Sequence, residues 1–131
     1  MTDQRIKDLL RSYILNTELG RAVANRVFTY APNIDKNDEY IVISVLDGLC
    51  GQRQTAIVNV NIYYPDIREV RGDAKVENVS RTRELSDIAE SVLKRVVEGD
   101  YWFKCVKMPV FKVADSEQHA INCRIEFVKQ N

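Results

Sequence analysis

Histidine, cysteine and glycine are scarce in this 131-residue sequence, which contains one, three and five of them respectively. The cysteines are Cys50, Cys105 and Cys123, and no two of them have the spacing of metal ligands. With His119 as the only histidine, a zinc site would lack ligands. We therefore predict no metal and no cofactor. Cys105 and Cys123 fall in strand-like segments, where a free cysteine is most simply a small buried hydrophobe, as expected in a reducing cytosol.

The motifs of common enzyme classes are also missing from the sequence. Gly48 and Gly51 are isolated, and neither is followed by Lys-Ser or Lys-Thr at the spacing of a phosphate-binding loop. There is no G-x-S-x-G elbow and no His-Glu-x-x-His pair. His119 beside a predicted turn could act as a general base for a cysteine, but a histidine on an exposed turn is usually a surface residue. We predict no catalytic residues and a protein that is not an enzyme.

Charge and hydropathy exclude two further classes of partner. Nineteen basic residues balance nineteen acidic ones, so no overall field attracts nucleic acid or anionic lipid. The first residues lack the apolar run of a signal peptide, and no segment approaches the eighteen or so apolar residues of a membrane span. We expect a cytoplasmic protein without a membrane partner.

The clearest pattern in the chain is a strand followed by a helix, between residues 54 and 97. Residues 55–64 alternate with period two, so that Ala56, Val58, Val60, Ile62 and Tyr64 share one face. After them, apolar residues recur at the offsets of an amphipathic helix, at Leu85, Ile88, Ala89, Val92, Leu93 and Val96. Ser80 or Thr82 begins this predicted helix, and Glu98-Gly99 ends it, with Gly99 as the glycine after the C-cap.

Further elements follow from the same reasoning. A first amphipathic helix is predicted over residues 3–16, and a short strand is favoured from about Val27, although residues 21–30 could also continue a helix. Strands 40–46 and 54–64 should form an antiparallel hairpin. A strand over 102–113, interrupted near Met108-Pro109, should form a second hairpin with a strand over 119–128.

These elements predict a single α+β domain over residues 1–131, with a mostly antiparallel sheet of four to five strands and two helices packed on one face. The other sheet face should be polar and partly open, since it carries Asn59, Asn61, Asn122, Arg124 and Glu126. Between the second long strand and its helix, residues 66–79 form a charged connector, which is either a solvated loop or an arm that contacts a partner.

The order of these segments matches a known group of proteins. The pattern consists of a first helix (6–16), VFTYAP (27–32), a YIVI strand (40–43), VNVNIYYP (58–65), an LSDIAESVL helix (85–93) and a closing hairpin (110–127). Over nearly its whole length the chain resembles the tail terminator, or tail-completion, proteins of tailed bacteriophages and prophages. The long charged connector departs from the family pattern, so no interface residue is carried over from the family.

The resemblance implies a structural virion protein without enzyme activity or cofactor. Such a protein forms a homo-oligomeric ring, commonly a hexamer, that caps the tail-tube protein and joins it to the head connector, with DNA only as passing cargo. Our own hypothesis is that the connector and the turn at 47–53 make contacts between subunits or with the tail tube. The candidate contact residues are Arg68, Glu69, Arg71, Asp73, Lys75, Asn59 and Asn61. The alternatives are another head–tail joining or tail-tube protein, or a cytoplasmic adaptor or ligand-binding α+β domain unconnected with phages.

Overall fold

A computed structural model describes residues 1–49, 53–69, 72 and 74–130. Within these residues the helices are α1 (Asp3–Leu15), α2 (Glu18–Ala22) and α3 (Val79–Leu93). The strands are β1 (Val27–Phe28), β2 (Tyr40–Leu49), β3 (Arg53–Pro65), β4 (Ile67–Arg68), β5 (Lys75–Val76), β6 (Val96–Glu98), β7 (Tyr101–Lys107), β8 (Val110–Lys112) and β9 (Gln118–Gln130). None of the helices so described is long and apolar enough to cross a membrane.

The main sheet has the strand order β1-β2-β3-β9-β7-β6, and β8 pairs with β9 beside β7. Among the described strands only the β1–β2 pair is parallel, so the α+β class with a mostly antiparallel sheet is confirmed. The described main sheet has seven strands, and the expected four to five were too few. The short strand predicted from about Val27 is present as β1. The further strands are β8, which is the part of the predicted 102–113 strand beyond its interruption, and β6, whose three residues were assigned to the helix and are too few for alternation to reveal them.

The long strands form the centre of the sheet. Both predicted hairpins are present, because β2 pairs with β3, and β7 and β8 pair with β9. The two hairpins join through β3 and β9, which pair from Arg53 opposite Gln130 to Pro65 opposite Gln118. The chain leaves the ladder between β7 and β8 at Met108-Pro109, consistent with a proline that cannot donate a ladder hydrogen bond.

One buried cluster joins the helices to one face of this sheet. The predicted inward residues of β3, from Ala56 to Tyr64, are all buried. Against them lie apolar residues of α1 and α3, namely Ile6, Leu10, Ile14, Leu85, Ala89 and Leu93. The short helix α2, which the sequence did not predict, adds Leu19 to the same cluster. The helical stripes therefore form the core, as expected.

The end of α3 differs from the prediction. The helix stops at Leu93, and Val96–Glu98 form β6, which pairs with β7. Gly99 does have the positive φ that a glycine C-cap would require, at +56°, but it lies in the turn between β6 and β7. The pair Val96-Val97 explains the difference, because β-branched residues favour a strand over a helical turn.

Candidate interaction surface

The sheet face opposite the helices, called here the open face, consists of alternate residues of β3 and β9. On β3 these are the odd-numbered residues from Thr55 to Tyr63, and on β9 they are Asn122, Arg124 and Glu126. All of them are partly exposed, whereas their neighbours in sequence on both strands are buried. The predicted separation into a buried face and a polar, partly open face is therefore confirmed.

Three asparagines at the centre of the open face form a hydrogen-bonded group. The Nδ2 of Asn122 donates to Oδ1 of Asn59 at 3.1 Å and to Oδ1 of Asn61 at 2.6 Å. The candidate contacts Asn59 and Asn61 therefore lie side by side, held by a third asparagine from the neighbouring strand. Because the Asn122 amide bridges the other two, this polar patch has a fixed arrangement and is suited to specific contacts.

Arg124, directly opposite Asn59, has an unsatisfied donor. Its Nε is buried, and no hydrogen-bond acceptor of a described residue reaches it. A buried donor without an acceptor is unusual in a folded protein and costs free energy. Because the atom is buried by the chain itself, an acceptor from outside reaches it only after the Arg124 side chain moves.

Aromatic side chains flank the polar patch at both ends of the open face. Tyr40 and Tyr63 stack with ring centroids 4.8 Å apart. Toward the other end, the Arg95 guanidinium lies 5.7 Å from the centre of the Trp102 ring. Trp102 also lines a depression of about 290 Å³ with Thr55, Ile57, Glu126 and Val128 among others. The open face thus combines aromatic ends with a polar centre, the reverse of the apolar core and polar rim of a typical protein interface.

The outer edge of β2 is largely uncovered in the described structure. The only described strand that pairs on that side is β1, which lies opposite Ile41 and Val42, whereas β2 continues to Leu49. At the irregularity between Val45 and Asp47, the Leu46 side chain is 59% exposed. An uncovered edge with an exposed leucine is a template for pairing with another strand. Sequence reasoning missed this edge, since it depends on how short β1 is.

The charged connector is more ordered than the sequence suggested. Its strands β4 and β5 form a two-stranded ribbon with Arg68 opposite Lys75, and the amide of Glu69 donates to the carbonyl of Ala74 at 3.1 Å. Lys75 Nζ lies 3.0 Å from Glu117 Oε2, which ties the ribbon to the turn before β9. The sequence left open whether the connector is a solvated loop or a contact arm, and this part of it is a short ribbon. The candidates Arg71 and Asp73 lie outside the described residues.

A charged cluster clamps both ends of the connector to β9. The Asp66 carboxylate is 1% exposed, and its Oδ1 lies 2.6 Å from His119 Nδ1. The other ring nitrogen of His119 lies 3.9 Å from Glu77 Oε1. Glu77 Oε2 in turn accepts a hydrogen bond from the Thr82 hydroxyl at 2.7 Å. His119 is thus a partly buried residue of β9, contrary to the predicted exposed turn, and it bridges residues eleven positions apart in sequence.

The Asp66–His119 pair has the composition of a general-base dyad, but its surroundings favour a structural role. The Thr82 hydroxyl, which donates to Glu77, is also hydrogen-bonded to the hydroxyl of Tyr64, and Tyr64 is fully buried. Burial raises the pKa of Tyr64 above its usual value, because the charged phenolate is poorly solvated there. Among the described residues, no three His, Cys, Asp or Glu side chains are placed to hold a metal ion.

The predicted candidates therefore fall in two places. Asn59 and Asn61 lie on the open face, while Arg68, Glu69 and Lys75 belong to the ribbon after the end of β3. Comparison with protein-family models gives no match, and comparison with curated protein sequences gives no significant match.

Proposed function

We propose that this protein is a structural assembly protein of the tail-terminator type. In this proposal its copies form a ring that caps the tail tube of a phage or prophage and joins the tube to the head connector. DNA is only cargo passing through the ring, and the protein has no catalytic role. Two things support the proposal: the pattern that the sequence shares with tail terminators, and the uncovered edge of β2.

The edge of β2 is the observation that carries the proposal. Proteins that act as monomers generally protect such an edge with charge, proline, a β-bulge or a covering element, and on β2 the irregularity between Val45 and Asp47 is the device of this kind. Here Leu46 is 59% exposed at the edge. The opposite end of the sheet is β6, where Val97 is 65% exposed. A contact between β2 of one copy and β6 of the next is heterologous, and heterologous contacts close into a ring when the rotation between copies allows it.

The open face and the ribbon supply further contacts in the same assembly. The buried, unsatisfied Nε of Arg124 gains an acceptor from a neighbouring subunit or the tail tube if its side chain turns outward on assembly. Such contacts require no net positive charge, in keeping with the formal net charge of zero. The alternative function, a tail-tube subunit, is also that of a structural assembly protein. It differs from the proposal only in that its rings would stack into a tube.

Light scattering and negative-stain microscopy of the purified protein test the proposal. We expect a short ring whose mass is a multiple of the 15.1 kDa subunit. Leu46→Lys should dissociate it, because a charge would have to be desolvated at the new strand pairing. Val79→Lys is the matched control, since Val79 is also exposed, at 47%, but lies at the start of α3. Its ring should persist.

If rings form only on a tube, the purified protein alone will not show them. The same microscopy is therefore repeated after the protein is mixed with the tail-tube protein encoded by a neighbouring gene. The proposal is overturned if the protein neither forms a ring alone nor caps the polymerised tube. It is also overturned if neighbouring genes include no portal, capsid or tape-measure gene. Long stacked tubes instead of short rings would assign the protein as a tail-tube subunit.

Shortening the connector shows whether it is a contact arm or a solvated loop. Replacing residues 69–74 with Asn-Gly should leave a tight hairpin between β4 and β5 and keep the clamp at Asp66 and Glu77 intact. If the connector is a contact arm, the variant remains a folded monomer and does not assemble. Unchanged assembly identifies the connector as a solvated loop and leaves the β2 edge as the contact.

A further inference from the structure

Two cysteine side chains meet between β7 and β9, on the core side of the sheet. Cys105 lies directly opposite Ile125, and Cys123 precedes Ile125 by two residues, so the two cysteines are diagonal neighbours on adjacent strands. The Cys105 thiol donates to the backbone carbonyl of Lys107 at 3.4 Å, and the two thiols lie close enough to shift each other's pKa. Neither is part of a disulfide.

The two thiols differ sharply in access. Cys123 is fully buried in the main core. Cys105 is only partly buried and lines a depression of about 260 Å³ with Glu90, Lys94 and Met108, among others. A small molecule in this depression can therefore reach one sulfur of the pair directly, and the other sulfur only through the first.

The interaction between the two thiols shifts their pKa values in opposite directions. The interaction with Cys123 lowers the pKa of Cys105, as does the hydrogen bond to the Lys107 carbonyl, although burial and the Glu90 carboxylate act in the opposite direction. The interaction with Cys105, together with burial, raises the pKa of Cys123. The accessible sulfur is thus the better thiolate, and the buried one holds its proton, which is the arrangement of an attacking and a resolving thiol.

We propose that Cys105 and Cys123 form a dithiol modification site that reacts with low-molecular-weight disulfides such as oxidised glutathione. The Cys105 thiolate bonds to one glutathione sulfur, the S–S bond of the oxidant breaks, and one glutathione thiolate leaves. Cys123 then gives its proton to that thiolate and attacks Cys105 Sγ, which releases the second glutathione. The two protein thiols are oxidised to one disulfide, and one molecule of oxidised glutathione is reduced to two of glutathione.

The position of the pair makes this bond readily reversible. Diagonal residues of adjacent strands have Cα atoms about 7–8 Å apart, beyond the range of about 4.4–6.8 Å that disulfides prefer. The ladder is irregular between Cys105 and Lys107, so the backbone can adjust there. A disulfide formed by such an adjustment is strained and has a more oxidising potential than a structural disulfide. The site is thus suited to reversible modification.

Intact-mass spectrometry tests this site in a Cys50→Ser background, which removes the third cysteine. After treatment with oxidised glutathione, this protein should lose about 2 Da as the disulfide forms. The further change Cys123→Ser should trap the mixed disulfide and add about 305 Da, one glutathionyl group. The change Cys105→Ser should give neither product, because Cys123 is out of reach.

Peptide mapping of the wild-type protein provides a second readout that does not depend on the Cys50 substitution. It should yield a linked peptide pair containing Cys105 and Cys123. The proposal is overturned if the folded protein keeps its reduced mass, or if the Cys105→Ser variant is glutathionylated as readily as the Cys123→Ser variant. Circular dichroism before treatment confirms that each variant is folded, so that reaction of an unfolded chain is not counted.

Discussion

Arg81, in the first turn of α3, joins three parts of the fold through its guanidinium group. Its Nε and Nη2 donate to the two carboxylate oxygens of Glu39 at 2.7 and 2.6 Å. Nη2 also donates to the carbonyl of Ala22, at the end of α2, at 3.1 Å. The hydrogen bonding to the Glu39 carboxylate is the main reason that the pKa of Arg81 is raised. We predict that this pair is a principal polar contribution to stability.

The expected size follows from the geometry and exposure of the pair. The side chains of Arg81 and Glu39 are 24% and 20% exposed, so the ion pair is mostly shielded from water. Hydrogen bonds to charged groups contribute roughly 1.5–3 kcal/mol, and removal of one partner leaves the other charge poorly solvated. We expect Arg81→Ala to lower the free energy of unfolding by about 3 kcal/mol, with about 2 kcal/mol of that coupled to Glu39.

A double-mutant cycle in urea measures this coupling. It compares the unfolding free energies of Arg81→Ala, Glu39→Gln and the double variant. The comparison requires that all of them share the same m-value, the slope of the unfolding free energy against urea concentration. Glu84→Gln is the control, because Glu84 also contacts Arg81, at 3.1 Å, but its side chain is 59% exposed. That change should cost less than about 0.5 kcal/mol. A coupling energy indistinguishable from zero, or an equal loss from Glu84→Gln, would refute the reasoning.

The long elements were predictable because many residues repeat the same signal. Alternation over β3 and β9 fixed both the strands and the side of the sheet that each residue occupies, so Asn59 and Asn61 were placed correctly on the exposed face. The helical stripes of α1 and α3 identified their buried residues in the same way. Burial of an amphipathic element is a local property of its sequence, and this is why the core could be predicted.

What the sequence could not reveal depends on contacts between distant residues. The joining of the two hairpins through β3 and β9 is a long-range pairing that alternation alone does not specify. The clamp of Asp66 by His119 spans 53 residues, and the pair of Arg81 and Glu39 spans 42. The uncovered edge of β2 likewise exists only because a two-residue strand lies beside a ten-residue one.

Two further substitutions test packing and burial. A Cβ at Gly20 would lie 2.5 Å from the carbonyl oxygen of Ile14, so Gly20→Ala should lower the free energy of unfolding, measured by urea titration, by about 2 kcal/mol. Gly72→Ala is the control. A Cβ at Gly72 would have no described neighbour nearer than 3.9 Å, so this change should be nearly neutral in the same titration. Tyr64→Phe should cost about 1 kcal/mol at neutral pH, because the hydrogen bond to the Thr82 hydroxyl is lost. Since burial raises the pKa of Tyr64 in the folded state, the stability that this phenol contributes is present below the unfolded pKa of about 10 and is lost as the pH rises through the folded value. Urea midpoints measured from neutral pH to above about pH 10 should therefore fall more steeply for the wild-type protein than for Tyr64→Phe. Parallel curves would show that the phenol ionises in the folded protein as freely as in the unfolded chain, which its complete burial does not allow.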